Sequence, residues 1–312
     1  MFQTNIKLSD HSNYKIGGKA QYFFQSNNVE EIIKAVKKAQ QEQLPIFILG
    51  GGTNLLFDDQ EFKGLVIKPT MDQLQQDDYQ ITVGAGVLIN DLLDFVADKG
   101  LAGLEWAGGL PGLVGGAVRG NAGAFKGEMK DSIIEVTSLD ISGTEPKLIK
   151  RNNSDCHFGY RSSIFKEKDG EEIVLEVRFA LEPGNKEEIQ KAINDKIAWR
   201  KARQPLDHPN VGSIFKNIDW HLVPKKWQED EELKSHLKTD PFPILPAATL
   251  IDKTGLKGEE VGGAMVSPKH PNFIINSNNA SAEDVKALIK IVKERVHDKY
   301  DIWLEEEVMI IK

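Results

Sequence analysis

Two stretches of the sequence hold side chains whose types could move charge or protons. HFGYRSSIFK (157–166) sets Arg161 among aromatic and hydroxyl residues, and NVGSIFKN (210–217) sets Ser213 between a glycine and an apolar pair. An arginine can stabilise negative charge and a hydroxyl can carry a proton, although a lone arginine is most often an ordinary surface residue. Phe215 stands where the G-x-S-x-G pattern of hydrolases needs a glycine, and the spacing implies no base, so a nucleophilic triad has little support.

Three consecutive glutamates lie near the end of the chain, in WLEEEVMIIK (303–312). The stretch predicts a final strand, and alternation in a strand puts Glu305 and Glu307 on one face together with Met309. Glu306 then lies on the other face. A carboxylate that shares a face with apolar residues lies at a sheet edge or serves a function, and the pattern alone does not choose among the three.

A triple glycine follows an apolar run in FILGGGTNLLFDD (47–59), and a threonine and an asparagine come next. Glycine allows positive φ and lets another group approach the backbone closely. The loop is therefore either a tight turn or a nest of N–H groups that holds an anion such as a phosphate. The G-x-G-x-x-G fingerprint of a Rossmann fold is incomplete here, because Leu55 occupies its last position, and no P-loop sequence is present.

The densest glycine run is GLEWAGGLPGLVGGAVRGNAGAFKGEM (103–129), with nine glycines and few bulky polar residues. A flexible linker would be rich in polar residues, whereas this run is apolar. It predicts a surface that is pressed against a flat, polyanionic ligand. Close packing of a helix against a neighbour is the alternative.

Alternating strand-like and helix-like segments must position these residues. The pattern predicts helices at 29–43, 89–100 and 186–203, the second closed by a C-terminal glycine, and a late helix opened by a capping box at Ser281 and Asp284. Strands are predicted at 20–24, 45–49, 64–68, 79–84, 133–141, 171–181 and near the C-terminus. The turn-rich stretch QPLDHPNVG marks a domain boundary. The protein is therefore mixed α and β, in at least two domains.

Composition excludes several classes of function. The net charge of −8 argues against a nucleic-acid binder, and the histidines show no metal-ligand spacing, so no metal site is expected. One cysteine, Cys156, allows no internal disulfide, which suits a cytoplasmic location. The sequence shows no signal peptide and no apolar run long enough to cross a bilayer, so no membrane association is expected.

In this order, the motifs resemble those of the UDP-N-acetylenolpyruvoylglucosamine reductases, and the resemblance covers nearly the whole chain. The matching stretches are YKIGGKA (14–20), ILGGGTNLLF, GLEWAGGLPGLVGGAVRGNAGAFKGEM, FGYRSSIFK, VGSIFKN, LIDKTGLKG (250–258), GGAMVSPKHPNFIIN (262–276) and LEEEV. These enzymes belong to the vanillyl-alcohol-oxidase and p-cresol-methylhydroxylase-like FAD flavoproteins and act in peptidoglycan synthesis.

The resemblance implies an α+β fold. Two α/β subdomains, 1–69 and 70–203, would form the FAD-binding domain. A C-terminal α+β domain, 204–312, would bind the substrate, with the final strand 303–312 packing back near the FAD site. No obligate protein partner is implied.

The resemblance also implies the chemistry. Hydride would pass from NADPH to FAD and then to the enolpyruvyl carbon of UDP-N-acetylglucosamine enolpyruvate, giving UDP-N-acetylmuramate. Arg161 matches the arginine that polarises the substrate carboxylate, Ser213 the serine that protonates the adjacent carbon, and Glu307 the catalytic glutamate. FAD would be bound non-covalently, because the glycine-rich walls contain no histidine or cysteine.

The implied binding residues fall into two sets. Those for FAD are Gly50, Gly51, Gly52, Thr53, Asn54, Gly108, Gly109, Pro111, Gly112, Gly115, Gly116, Asn121, Gly123 and Ala124. Those for the substrate are Tyr160, Asn217 and Gln204.

Three departures from the family pattern qualify the resemblance. Only 51 residues separate Arg161 from Ser213, which indicates the second type of reductase, without the tyrosine-bearing loop. Gln204 stands where some members have a substrate-binding lysine. Residues 218–246 form an unusually long charged segment, interpreted as a helical insertion or a partner surface. The alternatives are another FAD-dependent oxidoreductase of the superfamily, a flavin-binding module without turnover, and a binding protein without a cofactor.

Overall fold

A computed structural model of the protein describes residues 2–239 and 242–312. The chain forms two compact units. Unit 1 contains the residues up to Ile6 together with Ala20–Gly51 and Lys63–Arg200, and unit 2 contains Lys7–Lys19, Gly52–Phe62 and Lys201–Lys312.

The strands and helices of the described residues are numbered in chain order. The α-helices are α1 (Val29–Gln41), α2 (Ile89–Lys99), α3 (Val114–Arg119), α4 (Ile164–Glu167), α5 (Lys186–Arg203), α6 (Lys225–Gln228), α7 (Glu231–Ser235), α8 (Ala247–Lys253) and α9 (Ala282–Tyr300). The strands are β1 (Gln3–Lys7), β2 (Lys19–Ser26), β3 (Ile46–Ile48), β4 (Leu55–Phe57), β5 (Phe62–Pro69), β6 (Leu74–Asp77), β7 (Gln80–Gly84), β8 (Leu101–Ala102), β9 (Gly123–Ala124), β10 (Gly127–Glu128), β11 (Ile133–Asp140), β12 (Lys147–Asn152), β13 (Glu172–Ala180), β14 (Glu182–Pro183), β15 (Ile218–Asp219), β16 (Ile244–Leu245), β17 (Glu260–Val261), β18 (Ala264–Val266), β19 (Ile274–Asn276) and β20 (Met309–Ile311).

Two sheets organise unit 1. A four-stranded sheet has the order β1-β2-β5-β3, in which β3 and β5 are parallel. A five-stranded sheet has the order β12-β11-β13-β7-β6 and is antiparallel throughout. Apolar side chains of α1 pack with those of β5 and β13, and residues of α2, α3 and α5 cover a second core with β7 and β13.

The predicted helices begin and end where the sequence carries local capping residues. Asn28 caps α1, its side chain accepting from the N–H groups of Glu30 and Glu31. Gly100 closes α2 in the left-handed conformation with φ 67°, which glycine adopts without steric cost. The capping box at Ser281 and Asp284 opens α9 as predicted.

Unit 2 is built around α9, which packs against the three-stranded sheet β17-β18-β19. The charged segment 218–246 belongs to this unit, and residues 240 and 241 lie outside the described part of it. Strands β15 and β16 pair at its two ends, and α6 and α7 lie between them. Val223 and Leu233 of this segment are buried in the core of unit 2, so the segment packs within that unit. Its interpretation as an insertion relative to the family stays a prediction.

The prediction of one continuous final strand is wrong. Only Met309–Ile311 form a strand, β20, which pairs in parallel with β4, the strand that follows the triple-glycine loop. The residues before β20 pair elsewhere: Glu306 forms an isolated bridge with Phe215. The segment changes partner between Glu307 and Met309, so a single alternating ladder does not run along it.

The three-domain boundaries at 1–69, 70–203 and 204–312 stay a prediction. In the structure, the short segments Lys7–Lys19 and Gly52–Phe62 belong to the unit that contains the C-terminal third of the chain. Throughout 2–239 and 242–312, the helices are too short or too polar to cross a bilayer.

Candidate active site

The glycines of the first loop face the second glycine run within unit 1. A Cβ atom on Gly51 would lie 2.9 Å from Cα of Gly112, closer than real Cβ atoms approach backbone, and 3.2 Å from the nitrogen of Leu113, which is a tight contact. Gly50 has ordinary spacing, since its Cβ would lie 3.8 Å from Cα of Gly116. Gly51 is therefore required for the contact between two backbone segments.

The other half of the loop, Gly52–Asn54, belongs to unit 2. Gly52 has φ 65°, and a Cβ there would lie 1.9 Å from the carbonyl oxygen of His11. Nδ2 of Asn54 donates to the carbonyl of Glu307 (3.1 Å), and the N–H of Met309 donates to the carbonyl of Asn54 (3.2 Å). The loop thus lies directly against the backbone of a candidate catalytic residue.

The second glycine run had two interpretations, close packing and a ligand-binding surface. Each of them fits different glycines of the run. A Cβ on Gly108 would lie 2.6 Å from the carbonyl oxygen of Ile193 in α5, and one on Gly115 would lie 2.8 Å from Cβ of Ala85. These two glycines serve close packing. Gly116 differs, because it is exposed and no atom lies within 4 Å of the place where its Cβ would stand. Open space beside an exposed glycine lets another group approach the backbone closely.

Gly109 and its neighbours frame a buried arginine that the sequence prediction missed. Nε of Arg200 donates to the carbonyl of Gly108 (2.9 Å), and a Cβ on Gly109 would lie 3.1 Å from Cδ of Arg200. Nη2 of Arg200 is buried and has no hydrogen-bond partner among the described residues. Burial lowers the pKa of Arg200, and the ring of Phe125 lies 5.3 Å from its guanidinium carbon. A buried donor without a protein partner is costly, so this atom is available to an acceptor from a water molecule or a ligand.

A sequence signal for Arg200 existed. Ile189 and Ile193 lie on the buried face of α5, and Arg200 falls on that same face at helical spacing. A charged residue that shares a helix face with buried apolar residues is a sequence signal for a functional role.

Arg161 lies in a tight turn of unit 1 with a left-handed backbone, φ 54°. Its Nη2 donates to the carbonyl of Gly123 (2.8 Å), and its guanidinium carbon lies 5.1 Å from the ring of Tyr160. Nζ of Lys166 donates to the Arg161 carbonyl (2.8 Å). Among the described residues, ten other non-glycine residues also have positive φ, so this conformation alone does not distinguish Arg161.

Asn121 supports this turn. The residue is fully buried, and its Nδ2 donates to Oε2 of Glu128 and to the carbonyl of Gly159, both at 2.9 Å. Its Oδ1 accepts from the N–H of Lys130 (3.1 Å). Because this side chain is used to hold the chain together, its placement favours a structural role over the predicted contact with FAD.

Gly123 and Ala124 form β9, which pairs with β10 through a two-residue turn at Phe125 and Lys126. Both turn residues have positive φ, 50° and 70°, without being glycine. The hairpin carries the Gly123 carbonyl that holds Arg161.

In unit 2, the backbone of Glu307 is hydrogen-bonded to the segment that follows Ser213. The N–H of Glu307 donates to the carbonyl of Ile214, the residue after Ser213, at 2.7 Å. The N–H of Lys216 donates to the carbonyl of Glu305 at 2.9 Å. Ser213 and Glu307 are both half-buried, so each keeps part of its surface accessible.

The three glutamates, which the sequence pattern left equivalent, now differ. Glu305 pairs with Lys216 and is mostly exposed, and Glu306 pairs with Lys293 at 2.8 Å. Both pairs are structural ion pairs on the surface of unit 2. Glu307 is the member whose backbone joins the Ser213 segment and the glycine loop.

The remaining predicted residues lie as follows. Oδ1 of Asn217 accepts from the N–H of Ala247, the first residue of α8 (3.3 Å). Gln204 is half-buried at the start of the turn that leads to Ser213, and Pro111 is exposed. In the described ranges, no group of three or more histidine, cysteine or acidic side chains has the arrangement of a metal site.

Comparison with known proteins identifies the class first. Residues 20–148 match a family described as FAD binding domain, which makes the chain a flavoprotein. Residues 204–311 match the C-terminal domain of UDP-N-acetylenolpyruvoylglucosamine reductase. The chain is 37% identical to the UDP-N-acetylenolpyruvoylglucosamine reductase of Fervidobacterium nodosum, over 99% of this chain and 91% of the relative. It is 36% identical to that of Halalkalibacterium halodurans, over 99% and 94%.

A solved structure agrees with these relatives. The crystal structure of UDP-N-acetylenolpyruvylglucosamine reductase from Thermus caldophilus superposes with a TM-score of 0.77 at 31% identity and covers 100% of both chains. The chain belongs to the UDP-N-acetylenolpyruvoylglucosamine reductase family. The family and the α+β fold expected from the sequence motifs are thereby confirmed.

Proposed function

We propose that this protein reduces UDP-N-acetylglucosamine enolpyruvate to UDP-N-acetylmuramate with NADPH, using non-covalently bound FAD, in the cytoplasm. The observation that carries the proposal is full-length identity of 35–37% to reductases of that name. The reaction needs a group that donates a proton to carbon, and the Ser213 hydroxyl can do so. The backbone bond between the segments of Ser213 and Glu307 supports the proposal, because it holds these two candidate residues in one region of unit 2.

Two features of unit 1 fit an FAD molecule. Gly116 leaves open space on a glycine-rich surface, and Nη2 of Arg200 is a buried donor without a protein acceptor. We assign Gly50, Gly112 and Gly116 to the wall that accepts the cofactor, and Arg200 to an acceptor atom of it. FAD, when bound, supplies the acceptor and donor of hydride.

The protein's own residues then handle the substrate and the proton. Ser213 donates the proton to the carbon next to the one that accepts hydride. Glu307 supplies a carboxylate from the segment that bonds to the residue after Ser213. Arg161 binds the substrate carboxylate, where its fork of donors stabilises the negative charge that develops. Tyr160, Gln204 and Asn217 contact the rest of the substrate.

The experiment that tests these roles separates the two half-reactions by stopped flow. In Ser213→Ala, NADPH should bleach the flavin at a near-normal rate, because that step delivers no proton to carbon. Reoxidation by UDP-N-acetylglucosamine enolpyruvate should slow by roughly 10²–10⁴-fold, the usual contribution of a general acid. The matched control is Ser277→Ala, since the Ser277 hydroxyl donates to the carbonyl of Gly263 in the same unit. The control should leave both half-reactions near normal.

Other results would contradict the proposal in distinct ways. Equal loss in both half-reactions of Ser213→Ala, or no loss in the second, would remove Ser213 from the mechanism. Flavin that NADPH bleaches but this substrate does not reoxidise would indicate a different oxidoreductase. Flavin that NADPH does not bleach would indicate a module without turnover, and a colourless protein would indicate no cofactor.

A further inference from the structure

Asn272 lies in the loop VSPKHPNF, between β18 and β19, and is 3% exposed. The loop closes on itself, because the N–H of Ser267 donates to the carbonyl of Phe273 (2.8 Å). This closure presents Asn272 toward the interior of unit 2. A buried amide is retained where its hydrogen bonds are made, so its partners indicate its purpose.

The partners of Asn272 are the two residues that follow Ser213. The N–H of Ile214 donates to the Asn272 carbonyl (2.8 Å). The N–H of Phe215 donates to Oδ1 of Asn272 (3.0 Å), and Nδ2 of Asn272 donates back to the carbonyl of Phe215 (2.9 Å). The side-chain amide therefore pairs with Phe215 as the backbone of a neighbouring strand would.

The opposite edge of the same segment carries Glu307. The carbonyl of Ile214 accepts from the N–H of Glu307 (2.7 Å), and Phe215 bridges Glu306. Residues 214–216 are thus held on both edges, by Asn272 on one and by 305–307 on the other. Ser213 is the residue immediately before this doubly held segment.

We propose that Asn272 is a positioning residue that fixes Ser213 for proton delivery, an inference that rests on the proposed role of Ser213. Ser213 itself belongs to no strand, so its place depends on the segment that follows it. Without Asn272, the N–H and carbonyl of Phe215 lose their partners in a buried site, and the segment shifts to recover them. A displacement of about 1 Å costs roughly 10²-fold in rate when a reacting group must be aligned.

Asn276 offers a matched control on the same stretch of chain. Its Nδ2 donates to the carbonyl of Tyr14 (3.1 Å) and its Oδ1 accepts from the N–H of Ala280 (2.8 Å). It is therefore an asparagine with the same kind of structural bonds in the same unit, but these two bonds hold Tyr14 and Ala280. Loss of either asparagine should lower the melting temperature, and only loss of Asn272 should disturb proton delivery.

The test compares Asn272→Ala, Asn272→Asp and Asn276→Ala as FAD-loaded proteins in stopped flow. In Asn272→Ala, reoxidation by UDP-N-acetylglucosamine enolpyruvate should slow by roughly 10- to 100-fold, with a larger solvent deuterium isotope effect on that step. Flavin reduction by NADPH should stay within about twofold of the parent. Asn272→Asp is isosteric and accepts from Phe215 but cannot donate to it, so it should show the same pattern and serves if the alanine variant does not fold.

The outcomes separate the inference from the proposed function. Reoxidation within twofold of the parent in both Asn272 variants would overturn the inference, as would equal slowing in Asn276→Ala. Equal slowing of both half-reactions would also overturn it, because that pattern indicates general damage. A parent protein that the substrate does not reoxidise would overturn the proposed function itself, and the inference with it.

Discussion

Replacing Gly116 by leucine should abolish FAD binding in a protein that remains folded. Gly116 lies on α3 and is exposed, and no atom lies within 4 Å of its missing Cβ. The first side-chain atom of a larger residue therefore enters open space rather than striking the protein. If that space receives the cofactor, the leucine excludes it.

The expected stabilities of the variant and the parent differ in opposite directions without FAD and with FAD. Glycine inside a helix is about 0.8–1.0 kcal/mol less favourable than alanine, and leucine is close to alanine, so the FAD-free variant should be slightly more stable than the FAD-free parent. The parent gains about 2.7 kcal/mol from a ligand present at 100 times its dissociation constant, and the variant gains none. The order of stability should thus reverse when FAD is added.

Thermal unfolding with and without FAD, together with flavin absorbance per protein, measures both effects. The control is Gly143→Leu, on the turn between β11 and β12, where a Cβ also meets nothing within 4 Å. That variant should keep its flavin and its FAD-induced rise in melting temperature. A well-folded Gly116→Leu protein with full flavin would refute the assignment of this surface to the cofactor.

Gly51 is a less informative position for the same question. A Cβ on Gly51 meets the backbone at Gly112 at 2.9 Å, so Gly51→Val forces two backbone segments apart. Loss of flavin would follow from that movement even if no cofactor touched the loop. Gly116 separates ligand exclusion from damage to the fold.

Three further predictions test other parts of the structure. Acid or heat should release the flavin completely into the supernatant, because the glycine-rich walls contain no histidine or cysteine and burial raises the pKa of the Cys156 thiol to about 11, which leaves it unreactive; flavin in the pellet would contradict this. Leu233→Ala should cost about 2–5 kcal/mol in the free energy of unfolding, whereas Leu222→Ala, at a side chain that is 77% exposed, should cost almost nothing; equal costs in urea titrations would remove the inserted segment from the core. Hydrogen bonds from the backbone of Ser281 and Gly263 lower the pKa of Asp284, so the stability that this carboxylate contributes is present above pH ~3.9 and is lost as pH falls through the lowered value. Asp284→Ala should therefore lose its stability deficit in acid, and a constant deficit in pH-dependent melts would contradict the prediction.

Elements with local signals were predictable from the sequence. Helix α5 has the predicted bounds, Gly100 closes α2, and the capping box at Ser281 and Asp284 opens α9. Each of these depends on residues within one turn of the helix end, so distant parts of the chain do not alter the signal.

Features that depend on distant partners were not predictable. The local sequence of the glycine run 103–129 does not distinguish one glycine from another. A Cβ on Gly115 would nevertheless contact Ala85, whereas a Cβ on Gly116 would contact nothing. Whether a glycine serves packing or a ligand is decided by what lies opposite, which the local pattern does not contain. The short length of the final strand was not predictable for the same reason, because its partner β4 lies far away in the sequence.

The positions of the candidate catalytic residues in unit 2 also depend on such distant contacts. Ser213 and Glu307 lie outside the helices and strands, and short backbone pairings, such as the bond from Glu307 to Ile214, define their places. A regular sheet would distribute a disturbance over many hydrogen bonds, whereas this segment depends on a few. Changes that remove one of those bonds, without touching substrate or cofactor, should therefore affect the second half-reaction more strongly than they affect stability.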